Sequence, residues 1–268
     1  MSNARTAACL IIGDEILSGK IHDLNSHTLA KALFIKGVKL ERIEVISDDE
    51  KSLIEAVQRL NEAFDHVFTS GGIGPTHDDV TYASIAKAFG RQLAFHDDTL
   101  KQMEAHYEAR ASAKNQDFKG LSEDAKRMAL LPEPAELLFT PGLWVPVVKV
   151  ENVHILPGVP PLFERMLKAI LTSIEGNPLF RELIFTQQSE GKIATVLRKA
   201  QEKHPHISIG SYPRYVPQGV DEDDPKRYRV MITFDGPDSA NTHALSEQVA
   251  AEIEAFRRDA PLPPWQTT

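Results

Sequence analysis

The chain has 268 residues, 42% of them hydrophobic and 25% charged, with a formal net charge of −8 and one cysteine. That length admits one large domain or two modest ones, and the negative charge argues against a nucleic acid or an anionic membrane as the main partner. A lone thiol excludes an internal disulfide and suits a reducing cytoplasm, while the polar start and the absence of any run near ~18 apolar residues leave no signal peptide or membrane span to expect.

Ala7-Ala-Cys-Leu-Ile-Ile12 is a continuous apolar run ending at Gly13, the pattern of a strand buried on both faces. Cys9 lies inside it and reads as an inert, buried thiol. Gly13-Asp-Glu-Ile-Leu-Ser-Gly19 comes next, then a helix from Asn25 through Leu33 with Gly37 as its stop. Val38–Ile46 reads as a second strand and Ser47-Asp48-Asp49 as its turn. Lys51–Ala63 is a helix with Leu53, Ile54, Val57 and Leu60 on one face, and Asp65–Thr69 a third strand. Strands alternating with helices imply βαβ units and a parallel sheet.

The third strand runs into Thr69-Ser-Gly-Gly-Ile-Gly-Pro-Thr-His-Asp-Asp-Val-Thr81, followed by an amphipathic helix from Tyr82 to Phe89. A glycine-rich loop joining a strand to a helix is where an open α/β sheet takes a ligand, because glycines let the backbone approach and amides with the helix N-terminus offer donors to phosphate. The loop is neither a Walker A sequence nor GxGxxG. On the bland reading Asp78 or Asp79 simply caps the helix. Three glycines, a proline, two acids and a threonine together favour a ligand site: Ser70, Gly71, Gly72, Gly74, Pro75, Thr76, Asp78 and Thr81 are its substrate-binding candidates.

Three acid pairs fall at successive strand ends: Asp14/Glu15, Asp48/Asp49 and Asp78/Asp79. Each alone is an ordinary turn acid, but three at equivalent positions suit a hard divalent cation or acid–base chemistry. Further on, Asp97–Ala113 reads as a long polar helix and Ala113–Glu123 as a polar surface stretch. Val145–Leu156 holds two strands around a turn, and Pro157-Gly158-Val-Pro-Pro161 opens a helix to Leu171. The first domain is read as residues 1–172. A second, at 173–260, takes strand Arg181–Gln187, helix Gly191–Lys203, strands Ile207–Tyr212 and Arg227–Phe234 with acidic Asp221-Glu-Asp-Asp-Pro225 between them, and helix Ala240–Arg257. Residues 261–268 read as a flexible tail. The β-α-β-β-α order resembles a KH domain, yet no GxxG clamp lies between helices and acids outnumber bases, so RNA is not expected.

Gly71-Gly-Ile-Gly-Pro-Thr-His-Asp-Asp-Val-Thr81 resembles the signature of the molybdenum-cofactor-biosynthesis (molybdopterin-binding) family, in the branch of competence/damage-inducible protein A and the N-terminal domain of eukaryotic FAD synthase. Gly13-Asp-Glu-Ile-Leu-Ser-Gly19 with Asn25 resembles the opening motif of that branch, Pro157-Gly158 its PGVP turn, and Ser208-Ile-Gly-Ser-Tyr-Pro213 part of its accessory domain. Leu138–Pro146 departs from the competence-type segment, and Pro146-Val-Val-Lys-Val-Glu-Asn-Val153 looks more like the FAD-synthase branch. The resemblance implies an α/β fold, a three-layer doubly wound, mostly parallel sheet, with a smaller C-terminal α+β domain. It also implies Asp49 and Asp79 on a divalent metal (Mg²⁺, Mn²⁺ or Co²⁺, with K⁺ a further candidate), Glu15 as another metal residue, and Asp14 as a catalytic partner. Asn25, Pro157 and Gly158 would touch substrate. The implied activity is hydrolysis of a dinucleotide-type pyrophosphate, FAD or ADP-ribose in class. The alternatives are molybdopterin binding or adenylylation, and a non-catalytic nucleotide- or pterin-binding module. A homo-oligomer is implied as well.

Overall fold

A computed structural model describes residues 5–214 and 228–257. The acidic run 221–225 and the tail 261–268 lie outside the described residues. Chain contacts separate two units, 1–176 and 177–268. Ile174 still packs in the first core, and Gly176 lies so close to the Lys36 carbonyl that a Cβ would stand 1.9 Å from it.

In the first unit, β1 (Thr6–Ile12), α1 (Asp14–Leu17), α2 (Asn25–Lys36), β2 (Lys39–Ile46), α3 (Glu50–Ala63), β3 (His66–Ser70) and α4 (Thr81–Ala88) follow in order. Then come β4 (Gln92–Phe95), α5 (Asp97–Ala113), α6 (Glu123–Lys126), β5 (Leu130–Glu133), β6 (Glu136–Leu138), β7 (Val147–Val150), β8 (Val153–Leu156) and α7 (Pro160–Leu171). The main sheet runs β2-β1-β3-β8-β7-β6. β2, β1, β3 and β8 are parallel, and β7 and β6 are antiparallel additions. The doubly wound, mostly parallel sheet is therefore present. Right-handed crossovers put the helix leaving β1 for β2 and the helix returning from β2 to β3 on opposite faces. Accordingly α2 packs beside α7, and α3 beside α4.

Local chemistry explains the elements. β1 is buried on both faces, no residue from Ala7 to Ile12 exceeding 3% exposure, because helices cover both sides. α3 buries Leu53, Ala56, Val57 and Leu60 at helical spacing, and Asp49 caps its start by accepting the Ser52 N–H at 2.8 Å. α7 opens with Pro160 and Pro161, whose absent N–H groups cost nothing in a first turn. The short antiparallel pair β4 and β5 was not foreseen: four residues each are too few to carry a period.

The second unit is β9 (Phe180–Thr186), α8 (Glu190–Lys203), β10 (Ser208–Pro213), β11 (Val230–Gly236) and α9 (Ser239–Glu252). Its antiparallel sheet runs β10-β11-β9, with Ile184, Ile232, Phe234, Ile193 and Leu245 in one core. This is the small α+β unit expected. The last helix ends at Glu252 rather than Arg257, because Phe256 leaves it to exchange both backbone hydrogen bonds with Phe185 and joins the cluster of Phe185, Tyr228 and Met231 on the other sheet face. His204-Pro-His206 forms a short HxH with rings 6.0 Å apart, and the described residues supply no third ligand. No helix among them is long and apolar enough to cross a membrane.

His154 sits in the middle of β8, stacked on Phe68 of β3 at 4.9 Å and buried with no partner for its Nε2. Burial first, then the neighbouring His66 and Lys149, push its pKa down from 6.5 to about 3. The folded state thus holds a neutral imidazole that the unfolded chain protonates. Its stability contribution is complete above pH ~6.5 and falls as pH drops toward ~3, by up to about 1.4 kcal/mol per pH unit. Urea denaturation at stepped pH should show this decline, and His154→Leu should flatten it in that window; an unchanged slope would refute the assignment.

Candidate functional site

Strand order creates the site. β1 has β2 on one side and β3 on the other, so connections leaving their carboxyl ends diverge and open a crevice. Gly71 turns the chain there. Its φ is +115°, its N–H donates to the Leu156 carbonyl at 3.1 Å, and a Cβ would fall 2.1 Å from the Ile12 carbonyl oxygen. Gly72, at φ +65°, leaves room for Thr81, whose Oγ1 would stand 2.2 Å from a Cβ. Thr81 is fully buried; its hydroxyl donates to the Gly71 carbonyl at 3.0 Å and its N–H to the Gly72 carbonyl at 3.0 Å. Thr81 therefore locks the loop rather than touching a ligand.

Asp79 does not cap α4. Its carboxylate turns back and accepts the N–H of Gly74 at 2.7 Å and the N–H of Thr76 at 2.8 Å, with the Thr76 hydroxyl as a third donor. Of the amides of the three candidate glycines, those of Gly71 and Gly74 are taken by the Leu156 carbonyl and the Asp79 carboxylate, and only that of Gly72 is left to donate to phosphate. Between Gly71 and Gly74, the amides of Gly72 and Ile73 have no acceptor among the described residues. The first amide of α4, that of Thr81, is also used internally.

The cleft has a volume of about 580 Å³. Among the predicted residues, Glu15, Asn25, Ser70, Gly71, Gly72, Gly74, Pro75, Asp78, Asp79, Pro157 and Gly158 line it. Asp14, Asp49, Thr76 and Thr81 do not. Asp49 spends its carboxylate on the backbone and hydroxyl of Ser52, which hold its pKa below the usual range. Asp48 is the acid of that pair in the cleft; it accepts the Asp14 N–H at 2.9 Å. Burial foremost, and then the charges of Glu15, Asp14 and Asp78, raise its pKa even against that hydrogen bond. His77, in the loop, is exposed outside the lining, whereas His22 lines the cleft.

Asp23 was missed. It lines the cleft and its Oδ1 accepts the N–H groups of Asn25 and Ser26 at the start of α2, a helix-start signal legible in Asp23-Leu-Asn-Ser26. Asn25 ties three elements together. Its Nδ2 donates to Ser70 Oγ at 2.9 Å and to the Gly158 carbonyl at 2.9 Å. A carbonyl only accepts, so this bond fixes which end of the amide is nitrogen. The remaining Oδ1 is buried without a partner. Ile16, Ile21, Leu24, Met128, Trp144 and Val159 give the lining its apolar part, an apolar wall beside the acids' oxygens.

The lining therefore holds five carboxylates (Glu15, Asp23, Asp48, Asp78 and Asp79), one histidine and no Lys or Arg. Among the described residues no three His, Cys, Asp or Glu groups stand close enough to hold a metal by themselves. The donor set is hard oxygen, which suits a divalent cation only when other oxygens, such as those of a bound phosphate, complete its shell.

Residues 8–176 match the family described as "Probable molybdopterin binding domain", and residues 178–258 the family "FAD synthase, middle domain". A Caenorhabditis elegans protein named probable FAD synthase is 36% identical over 80% of this chain, and the chain spans 44% of that relative's length. An Archaeoglobus fulgidus protein is 32% identical over 88% of this chain and 93% of its own length. The crystal structure of a Thermoplasma acidophilum protein titled CinA, with unknown function, aligns at a TM-score of 0.56 and 31% identity, covering 64% of this chain and 98% of that one.

The two acids at the end of β2 have separable effects. Asp49→Ala removes the α3 cap and should lower the urea midpoint. Asp48→Asn keeps an oxygen for the Asp14 N–H and removes a repelled charge. It should raise the midpoint at neutral pH, the gain shrinking as falling pH protonates the wild-type carboxyl. Equal effects of both substitutions would contradict these roles.

Proposed function

The chain belongs to the molybdopterin-binding domain family, and from that premise we propose that its cleft binds a phosphate-bearing nucleotide or pterin and hydrolyses the pyrophosphate of an FAD- or ADP-ribose-class dinucleotide with a divalent cation. The observation that carries this reading is the lining itself: open amides at Gly72 and Ile73, five carboxylates, no Lys or Arg, and an apolar wall. A bare polyanion would be repelled by those acids. A polyanion that arrives with its cation neutralises them while the two amides donate to phosphate oxygens. The wall of Met128, Trp144 and Leu24 accepts a flat heteroaromatic ring.

Mg²⁺, Mn²⁺ or Co²⁺ bound there would neutralise phosphate charge and polarise the P–O bond. The chain's own part is as follows. Glu15 and Asp78 would supply oxygen ligands beside those of the phosphate, and Asp79 keeps the loop closed so that the Gly72 and Ile73 amides stay in place. Asp48, whose pKa is raised, takes the proton of the water that attacks phosphorus as the bridging P–O bond breaks. The match covers less than half of the relatives named FAD synthase, and forming FAD is a different reaction from cleaving it. The family's description favours a second reading, in which the same cleft holds a molybdopterin phosphate without hydrolysis.

FAD, ADP-ribose, NAD and diadenosine compounds, each with Mg²⁺, Mn²⁺ or Co²⁺ and with or without K⁺, form the deciding panel. Metal-dependent release of a nucleoside monophosphate is expected, falling about 10²-fold or more in Asp48→Asn. Asp79→Ala should lose turnover through a loosened loop, while Asp49→Ala keeps it at temperatures where it stays folded. Absence of turnover with every metal would sink the hydrolase reading, and a thermal shift with molybdopterin alone would then support the second.

A further inference from the structure

β2 forms one edge of the main sheet. Proteins blunt such edges with prolines, charged side chains, bulges or brevity, and of these β2 relies on charge, with Lys39, Glu41, Arg42 and Glu44. The opposite edge, β6, has three residues, but β2 has eight, with neither Pro nor Gly. A register shift at Ala7/Ala8 disturbs only its first part; from Arg42 to Ile46 it pairs with β1 without interruption. Apart from its bonds to β1 and the residues flanking it, no described residue hydrogen-bonds to its backbone. Ile43, in the middle of the regular stretch, is 51% exposed.

The charges along it are self-complementary in one register. A two-fold axis relating two antiparallel strands passes through a residue paired with its own copy, because side chains facing each other must share a face. Two such registers pair seven residues of β2. With Arg42 on the axis, guanidinium meets guanidinium. With Ile43 on the axis, the exposed isoleucine meets its copy, Arg42 stands opposite Glu44 of the second copy on both sides, and Leu40 stands opposite Ile46. Glu41 or Glu44 on the axis would oppose like carboxylates. Arg42 makes no ion pair among the described residues, and Glu44 already holds Arg59 at 2.6 Å on its own chain, so the new contact would extend an existing pair. We infer that β2 is an association surface for a second copy of this chain, joined antiparallel about Ile43.

One strand pair buries less than the roughly 1,600 Å² of a standard stable interface, so the dimer should be concentration-dependent. Sedimentation velocity of the full chain across a wide concentration range should show it. Arg42→Glu or Glu44→Arg should each weaken association about tenfold or more, and the double exchange R42E/E44R should restore it, because the opposed charges are then re-formed in the same register. Ile43→Cys should give a reducible covalent dimer under a mild oxidant, since Cys9 is fully buried. Arg42→Cys should not, its copies being two positions out of register. A monomer at every concentration, a double exchange that fails to recover although it folds, or a dimer in which Ile43→Cys does not cross-link would overturn the proposal.

Discussion

Everything at the cleft depends on how closely β1, β3 and β8 meet at their carboxyl ends. Gly71 bonds to the last carbonyl of β8 and presses against the last carbonyl of β1, with no room for a side chain. Only a glycine at positive φ turns there, and the turn carries Gly72, Ile73 and Gly74 over the sheet edge instead of along it. Thr81 and Asp79 then fasten the loop from inside, one through the Gly71 carbonyl, the other through two amides. A loop so over-determined presents a fixed pair of free amides, which is what binding an anion without reorganisation requires.

Electrostatics set a second constraint. Five acids in a cleft without Lys or Arg form a field that repels phosphate and attracts a hard cation. The raised pKa of Asp48 records this crowding together with partial burial. On the proposed reading such a lining discriminates by charge before shape: a phosphate-bearing ligand must bring positive charge with it before the amides and the apolar residues can select for phosphate and ring.

Much of this was legible in the sequence. Apolar runs, stop glycines and the Thr69–Thr81 stretch marked the parallel strands and the loop, since each depends on local composition. Less visible were the short strands β4 and β5, below the length at which alternation can be read, and the early end of α9, which depends on a backbone pairing of Phe256 with Phe185 across 71 positions. The tertiary contact won there over a helical pattern that would have run on.

The acid pairs mark the limit most clearly. Asp48 and Asp49 are identical in kind and adjacent, yet one faces the cleft and the other caps a helix. Successive residues leaving a strand point to opposite sides, so the choice rests on where β2 stops and α3 starts, to within one residue. Composition carries no such phase; the Ser52 hydroxyl and amide, three residues on, supply it by claiming Asp49. The same logic separates Asp78 from Asp79, because the amides of Gly74 and Thr76 claim the second. In both pairs the hydrogen-bond donors beside one acid commit it to a helix cap or a loop closure, while its neighbour stays in the cleft lining. A strand-end acid pair should therefore be read by asking first which member the local backbone needs.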